Sequence, residues 1–184
     1  MGAGHLGSGL YIRAMTSNAP ATPFSPNGLV SRAPEIWLGL VFSSAMLGGA
    51  YAFQYLAGLA PCQMCHWQRW AHWCVVAFGL AGLFLPNRRL WGVMVASGLL
   101  ASVIIAATHA GVEYGWWEGP KGCAAGSFEG LPAGGDLFGS LADDKVVDCA
   151  EPAWVFLGVS MAGWNALLSL GALLLVGLGI RRAP

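Results

Sequence analysis

Five cysteines are the residues best able to do chemistry in this 184-residue chain: Cys62, Cys65, Cys74, Cys123 and Cys149. Cys62 and Cys65 form a C-x-x-C, and Cys123 and Cys149 form a second, widely spaced pair. A wide pair reads as a staple, since closing such a loop stabilises a fold by about 3–4 kcal/mol in the chain-entropy account. A C-x-x-C closes too small a ring to gain much that way. It reads instead as a redox pair, because a helix N-terminus favours the thiolate that disulfide exchange requires. Arg69 follows Cys65 by four residues, on the same face of the helix expected there. A cation in an apolar segment usually marks function. Its expected work is to stabilise a Cys65 thiolate and the oxygen of a bound electron acceptor. The alternative is an arginine that snorkels to lipid headgroups. Cys74, two turns into the same helix, reads as a small apolar side chain.

Two other chemistries compete for the same residues. Cys62-Gln63-Met64-Cys65-His66 also fits C-x-x-C-H, the pattern of c-type haem attachment. That reading leaves Arg69, Cys123 and Cys149 without work and gives haem almost no loop to enclose it. A permanent metal is weaker still, because cysteine pairs on an oxidising face form disulfides. No metal site is therefore assigned.

The elements that must position these cysteines follow from the charges. Only 18 residues are charged, 9 basic and 9 acidic, and 56% are hydrophobic. A soluble domain carries about 25% charged residues; this chain carries 10%. It has no basic stripe to track phosphates, so nucleic acid is not an expected partner. Four stretches hold no charge at all, 36–68, 70–87, 90–112 and 152–180, together 103 residues. A membrane-crossing helix needs about 20 apolar residues. The expected fold is thus all-α and integral to a membrane: an antiparallel four-transmembrane-helix bundle over residues 35–184. Its helices run Glu35–Gly58, Cys65–Leu85, Leu90–Ala110 and Ser160–Ile180, with loops at 59–64 and 111–159. Residues 1–34, rich in Gly, Ser, Pro and Ala, read as a disordered cytoplasmic tail.

Orientation follows from Arg and Lys. Arg13, Arg32, Arg88, Arg89, Arg181 and Arg182 fall on one side, Lys121 and Lys145 on the other, with Arg69 near a helix end. Both termini are expected in the cytoplasm, and the loops at 59–64 and 111–159 in the periplasm. Nine tryptophans gather near the expected helix ends, as interfacial anchors would.

The C-x-x-C with Arg69 behind it, the second cysteine pair and the four helices resemble the DsbB family of bacterial inner-membrane disulfide bond formation proteins. So do the run from Cys149 through Trp154, Phe156, Leu157, Gly158, Ser160 and Met161 to Trp164, and the run from His109 to Trp117 before Cys123. The resemblance covers about residues 36–182. It implies a multi-pass thiol:quinone oxidoreductase that reoxidises a periplasmic DsbA-like protein of thioredoxin fold. In that reading the partner's thiolate attacks Cys123 to give a mixed disulfide, and Cys149 is the resolving partner of Cys123. Electrons then pass to Cys62, and Cys65 is the thiol beside the quinone. Arg69 binds and polarises the quinone, with His109 near it. Ubiquinone is the first expectation for this cofactor and menaquinone the second. A quinone reductase of the vitamin K epoxide reductase type shares the bundle but carries its C-x-x-C late in the chain. The non-enzyme alternative is a stapled or haem-bearing membrane protein.

Smaller expectations complete the reading. Lys121 and Gly122 suggest an exposed Cys123 with a cation nearby, whereas Asp148 and Glu151 disfavour a thiolate at Cys149. Leu131, Leu137, Phe138 and Leu141 could rest on the membrane surface. His72 lies on the face of Cys65 and Arg69, as a packing histidine or a neighbour of the quinone. His66 departs from the apolar residue usual after the family's second cysteine. Glu113 reads as a solvated loop acid, with proton transfer as its functional alternative.

Overall fold

The structure, a computed structural model, describes residues 33–120, 123 and 147–182. The tail through residue 32, Lys121, Lys145 and the segment with Leu131, Leu137, Phe138 and Leu141 lie outside the described residues.

Four long helices carry the fold: α1 (Pro34–Tyr55), α2 (Gln63–Phe84), α3 (Arg88–Glu113) and α4 (Met161–Arg182). A two-stranded hairpin, β1 (Val155–Phe156) and β2 (Val159–Ser160), precedes α4. Each helix has 22 residues or more, and 22 residues at 1.5 Å each span about 33 Å, the thickness of a bilayer core. Three of them, α1, α3 and α4, are long and apolar enough to cross a membrane. The exception is α2, of equal length, whose first turns hold Gln63, His66, Gln68, Arg69 and His72. The helix that carries the chemistry is the least apolar for that reason.

Local signals set the boundaries. Pro34 opens α1 in its first turn, where a missing N–H costs nothing. Cys62 caps α2, its Sγ accepting the Cys65 N–H at 3.2 Å. Asn87 caps α3 from a left-handed conformation that asparagine tolerates (φ 70°), with Oδ1 accepting the Leu90 N–H at 3.2 Å. Ser160 Oγ takes the Gly163 N–H at the start of α4. Two boundaries correct the expectation with consequences for the site. The second helix starts before Cys65, so Cys62 is its cap. The third runs on to Glu113, which is therefore helical and inward-facing instead of a solvated loop acid.

The bundle is apolar outside, and its interior holds a set of polar side chains beside an apolar core. Leu100, Ile104, Leu167 and Leu174 are exposed, while Ser43, Ser102 and Ser169 are fully buried. Hydrocarbon selects this pattern, because polar groups there must find partners inside the protein. His72 is their hub. Its Nδ1 lies 3.1 Å from Ser43 Oγ on α1, and its Nε2 lies 3.1 Å from both Ser102 Oγ on α3 and Asn165 Oδ1 on α4. One buried histidine thus ties all four helices together. Below it Val75, Val95, Leu99, Ala172 and Val176 form the apolar core. Close helix approach depends on Gly98, where an added Cβ would fall 2.6 Å from Val75 Cγ2.

At the end away from the cysteines, Arg88 clasps the buried Glu35 carboxylate with two hydrogen bonds, at 2.6 and 2.7 Å. This joins the first turns of α1 and α3. Arg88→Ala strands a buried carboxylate and should cost about 2–3 kcal/mol, the scale of a lost charge-assisted pair. Adding Glu35→Gln should recover part of the loss. Thermal unfolding in detergent reads both, and an unchanged midpoint in Arg88→Ala would show that the pair contributes nothing.

The hairpin lies at the end of the loop expected over 111–159. Val155 pairs with Ser160 and Phe156 with Val159, around a turn with Leu157 (φ 52°) and Gly158 (φ 77°). Aromatic packing holds it. Phe156 stacks on Trp154 at 5.5 Å, and Trp164 Nε1 donates to the Phe156 carbonyl at 3.1 Å. Tyr114 Oη donates to the Gly158 carbonyl and accepts the Ser160 N–H. Trp154 is thereby set against Phe53 of α1, with ring centroids 5.5 Å apart.

Candidate functional site

The short connection from α1 to α2 brings Cys62 and Cys65 to one end of the bundle. Their sulfurs are unbonded and 2.8 Å apart, with Cys62 Sγ donating to Cys65 Sγ. That hydrogen bond and the burial of Cys62 hold its thiol well above the ordinary range. The proton sits on Cys62 and negative charge collects on Cys65, four residues before Arg69 on the same helix. Alkylation should distinguish them. At a pH near the ordinary thiol pKa of about 8.5, iodoacetamide should label Cys65 first and leave Cys62 largely unmodified. Peptide mapping reads the order, and equal labelling would contradict this assignment of the proton.

Cys123 and Cys149 are joined as a disulfide, with Cα atoms 5.3 Å apart. The two pairs meet. Cys62, Met64, Val112, Cys123 and Cys149 form one buried cluster, with Cys65 and Val147 packed against it. This corrects the expectation of an exposed Cys123: it is 2% exposed, covered by apolar side chains despite its polar sequence neighbours. Cys149 N–H bonds back to the Cys123 carbonyl at 3.0 Å.

Arg69 lines a cavity with Cys62, Cys65 and His109. The cavity holds about 260 Å³ and opens among α1, α2, α3, α4 and the segment that leads into the hairpin. Its walls are mostly apolar, among them Met46, Phe53, Trp154 and Leu168. Arg69 is anchored by the Gln54 side chain, by the Ala50 carbonyl at 3.2 Å, and by the Tyr51 ring, 4.9 Å from its guanidinium carbon. Among the described residues no carboxylate pairs with it. A planar apolar molecule with a polar oxygen fits such walls and such a cation.

His109 closes the site from α3. Its Nε2 lies 3.5 Å from Cys62 Sγ, and its Nδ1 2.8 Å from Gln68 Nε2. Ligand atoms of Cys62, Cys65 and His109 all lie within 4.8 Å of one another. His66, the histidine of the haem-like pattern, is exposed, so His109 and not His66 meets the cysteine pair. His72 proves to be a packing histidine that also lines the cavity. Cys74 is exposed on α2.

Two residues were missed by sequence reasoning, and a third was named but misplaced. Gln68 and Asn165 bridge His109 to the His72 hub, since Asn165 Nδ2 donates to Gln68 Oε1 at 2.7 Å. The third is Glu113, assigned to the loop but buried beside His109. The four-residue spacing of His109 and Glu113 is the signal that could have found it.

Two cysteine pairs in one buried cluster, at the end of a bundle with an apolar exterior, define a membrane protein of thiol–disulfide chemistry. The family of Disulfide bond formation protein DsbB matches over residues 33–179. Disulfide bond formation protein B of Methylococcus capsulatus is 31% identical, across 73% of this chain and 85% of its own. The protein of the same name from Pasteurella multocida is 35% identical, across 70% and 75%. That from Chromohalobacter salexigens is 34% identical, across 78% and 86%. No solved structure gives a significant match. The chain belongs to the DsbB family, and is a multi-pass bacterial membrane protein of disulfide bond formation.

Proposed function

We propose that the protein is a thiol:quinone oxidoreductase of the bacterial inner membrane that reoxidises a periplasmic DsbA-like protein. All four helices cross the membrane, both termini are cytoplasmic, and the cysteine end faces the periplasm. The clustering of Arg88, Arg89, Arg181 and Arg182 at helix ends supports that orientation.

The partner's thiolate attacks Cys123 Sγ, breaking the bond to Cys149 and forming a mixed disulfide. The partner's second thiol then displaces Cys123 and leaves as a disulfide. Cys123 and Cys149 are now thiols, and exchange with a Cys62–Cys65 disulfide restores their bond and reduces the C-x-x-C. Because Cys123 is buried, the partner must draw it out from under Met64 and Val112 first. A bound quinone supplies an acceptor for two electrons and two protons. Cys65 presents its sulfur to the cavity, Arg69 offers hydrogen bonds to a carbonyl oxygen, and His109 fixes the geometry of Cys62. The apolar walls exclude water from the reduced pair.

The observation that carries this reading is the single cluster of both cysteine pairs, opening on one cavity that Cys65, Arg69 and His109 share. Its test is turnover. Purified protein, a reduced thioredoxin-fold protein with an oxidising active site and short-chain ubiquinone should consume thiols and quinone in a ratio of two to one. Quinone consumption that needs no Cys123, or a Soret band on the purified protein, would overturn it.

A further inference from the structure

Glu113 is a buried carboxylate for which the reading above has no use. Its side chain is 4% exposed, and Oε1 lies 3.7 Å from His109 Nε2. Oε2 has no hydrogen-bond partner among the described residues. The residue lines the cavity beside Cys62, Cys65 and Arg69. An orphaned, buried carboxylate oxygen is costly and calls for a partner or a proton.

The hydrogen bonds of His109 show why the site needs it. Asn165 Oδ1 accepts from Ser169 Oγ at 3.0 Å, which fixes its amide with Nδ2 toward Gln68 Oε1. Gln68 must then present Nε2 to His109 Nδ1, 2.8 Å away. Nδ1 accepts, so the neutral ring carries its hydrogen on Nε2. That is the nitrogen facing Cys62 Sγ and Glu113 Oε1. His109 so held points its N–H toward Cys62 Sγ, with Glu113 Oε1 just beyond hydrogen-bonding distance at 3.7 Å, and has no free nitrogen for the Cys62 proton. The remaining titratable groups on the cavity are Cys65, Arg69 and His72 of α2 and the exposed Glu151 before the hairpin; α1 and α4 contribute none. Arg69 is a permanent cation, and His72 is occupied by the bundle's interior.

We infer that Glu113 is the proton-carrying residue of the site: it takes the proton that leaves Cys62 as the Cys62–Cys65 disulfide forms, and gives it up to the electron acceptor in the cavity. This rests on the proposed thiol:quinone function. One S–H bond breaks and one S–S bond forms while two electrons pass to the quinone. Cys65, already holding the charge, contributes no proton, so the second proton of the quinol comes from water at the membrane surface. His109 holds its N–H between Cys62 and the carboxylate and is a positioning residue.

Glu113→Gln and Glu113→Asp in the full chain test this with two readouts. Infrared difference spectra between oxidised and reduced protein, cycled with dithiothreitol and a small disulfide and with no quinone added, should show a protonated-carboxyl band in the oxidised form. Glu113→Gln should remove that band, and Glu113→Asp should keep it at a shifted position. Reduction of short-chain ubiquinone should slow about 100-fold in Glu113→Gln, the scale of a lost proton-transfer group, with partial rescue by Asp and little change in KM. A wild-type spectrum without the band, a band that survives Glu113→Gln, or an unchanged rate and pH profile would overturn the inference. If the wild type passes no electrons to quinone, the functional reading falls, while the infrared band still decides the case of Glu113.

Discussion

Cys65→Ser should abolish electron transfer from the protein to quinone, a loss of at least about 10⁴-fold, as when one member of an interdependent catalytic set is removed. The serine is nearly isosteric, and Cys65 is only half-buried, so the fold should survive. The Cys123–Cys149 disulfide should survive too, since its cluster retains Cys62, Met64 and Val112. The variant should therefore still form a mixed disulfide with a thioredoxin-fold partner, oxidise that partner once and stop with Cys123 and Cys149 as thiols, because the electrons have nowhere to go. Stopped-flow loss of quinone absorbance and non-reducing gels read the two halves separately. Turnover that survives at more than a few per cent of wild type would place the electron exit elsewhere. Loss of the mixed disulfide as well would mean that the two pairs are not separable stations.

Arg69→Met should raise the apparent KM for short-chain ubiquinone about 10- to 100-fold and leave the fold intact. A hydrogen bond from a charged donor contributes about 1.5–3 kcal/mol, and tenfold in affinity corresponds to about 1.4 kcal/mol. Methionine keeps an apolar stem while removing the guanidinium that now reaches Gln54, Ala50 and the Tyr51 ring. Arg69→Lys should recover only part of the affinity, because one ammonium cannot hold those anchors and a ligand oxygen in the same plane. Steady-state kinetics with saturating reduced partner gives the split. An unchanged KM in Arg69→Met would return Arg69 to the role of a headgroup anchor.

The readable and unreadable parts of this molecule differ in a physical way. The cysteine pairs, Arg69 and the uncharged stretches are local patterns, and they point to the helices and cavity-lining residues described above. Cys65 and Arg69 share a helix face because they are four residues apart, and both line the cavity as that spacing implies. What escaped depends on packing between distant segments. Gln68, in an apolar helix, has no visible partner until α3 brings His109 and α4 brings Asn165. Cys123 sits among glycine and lysine in the sequence, yet Met64 and Val112 cover it. Glu113 was assigned to the loop because the charge-free run ends there, but α3 continues through it and buries its side chain. The hairpin rests on Trp154, Phe156 and Trp164, three aromatics that read equally well as interfacial anchors. The weakest of the span signals, α2, is weak because the site is built on it.

The most direct test of the central claim is a single turnover in the isolated protein. The chain, reduced only at Cys62 and Cys65 with Cys123–Cys149 intact, is mixed with one equivalent of short-chain ubiquinone. Thiols and quinone are counted together, and peptide mapping locates the new disulfide. One quinone should be reduced for each pair of thiols lost, with a Cys62–Cys65 disulfide as the product and Cys123–Cys149 unchanged. Quinone that stays oxidised, or a product disulfide that joins any other pair of cysteines, would contradict that claim.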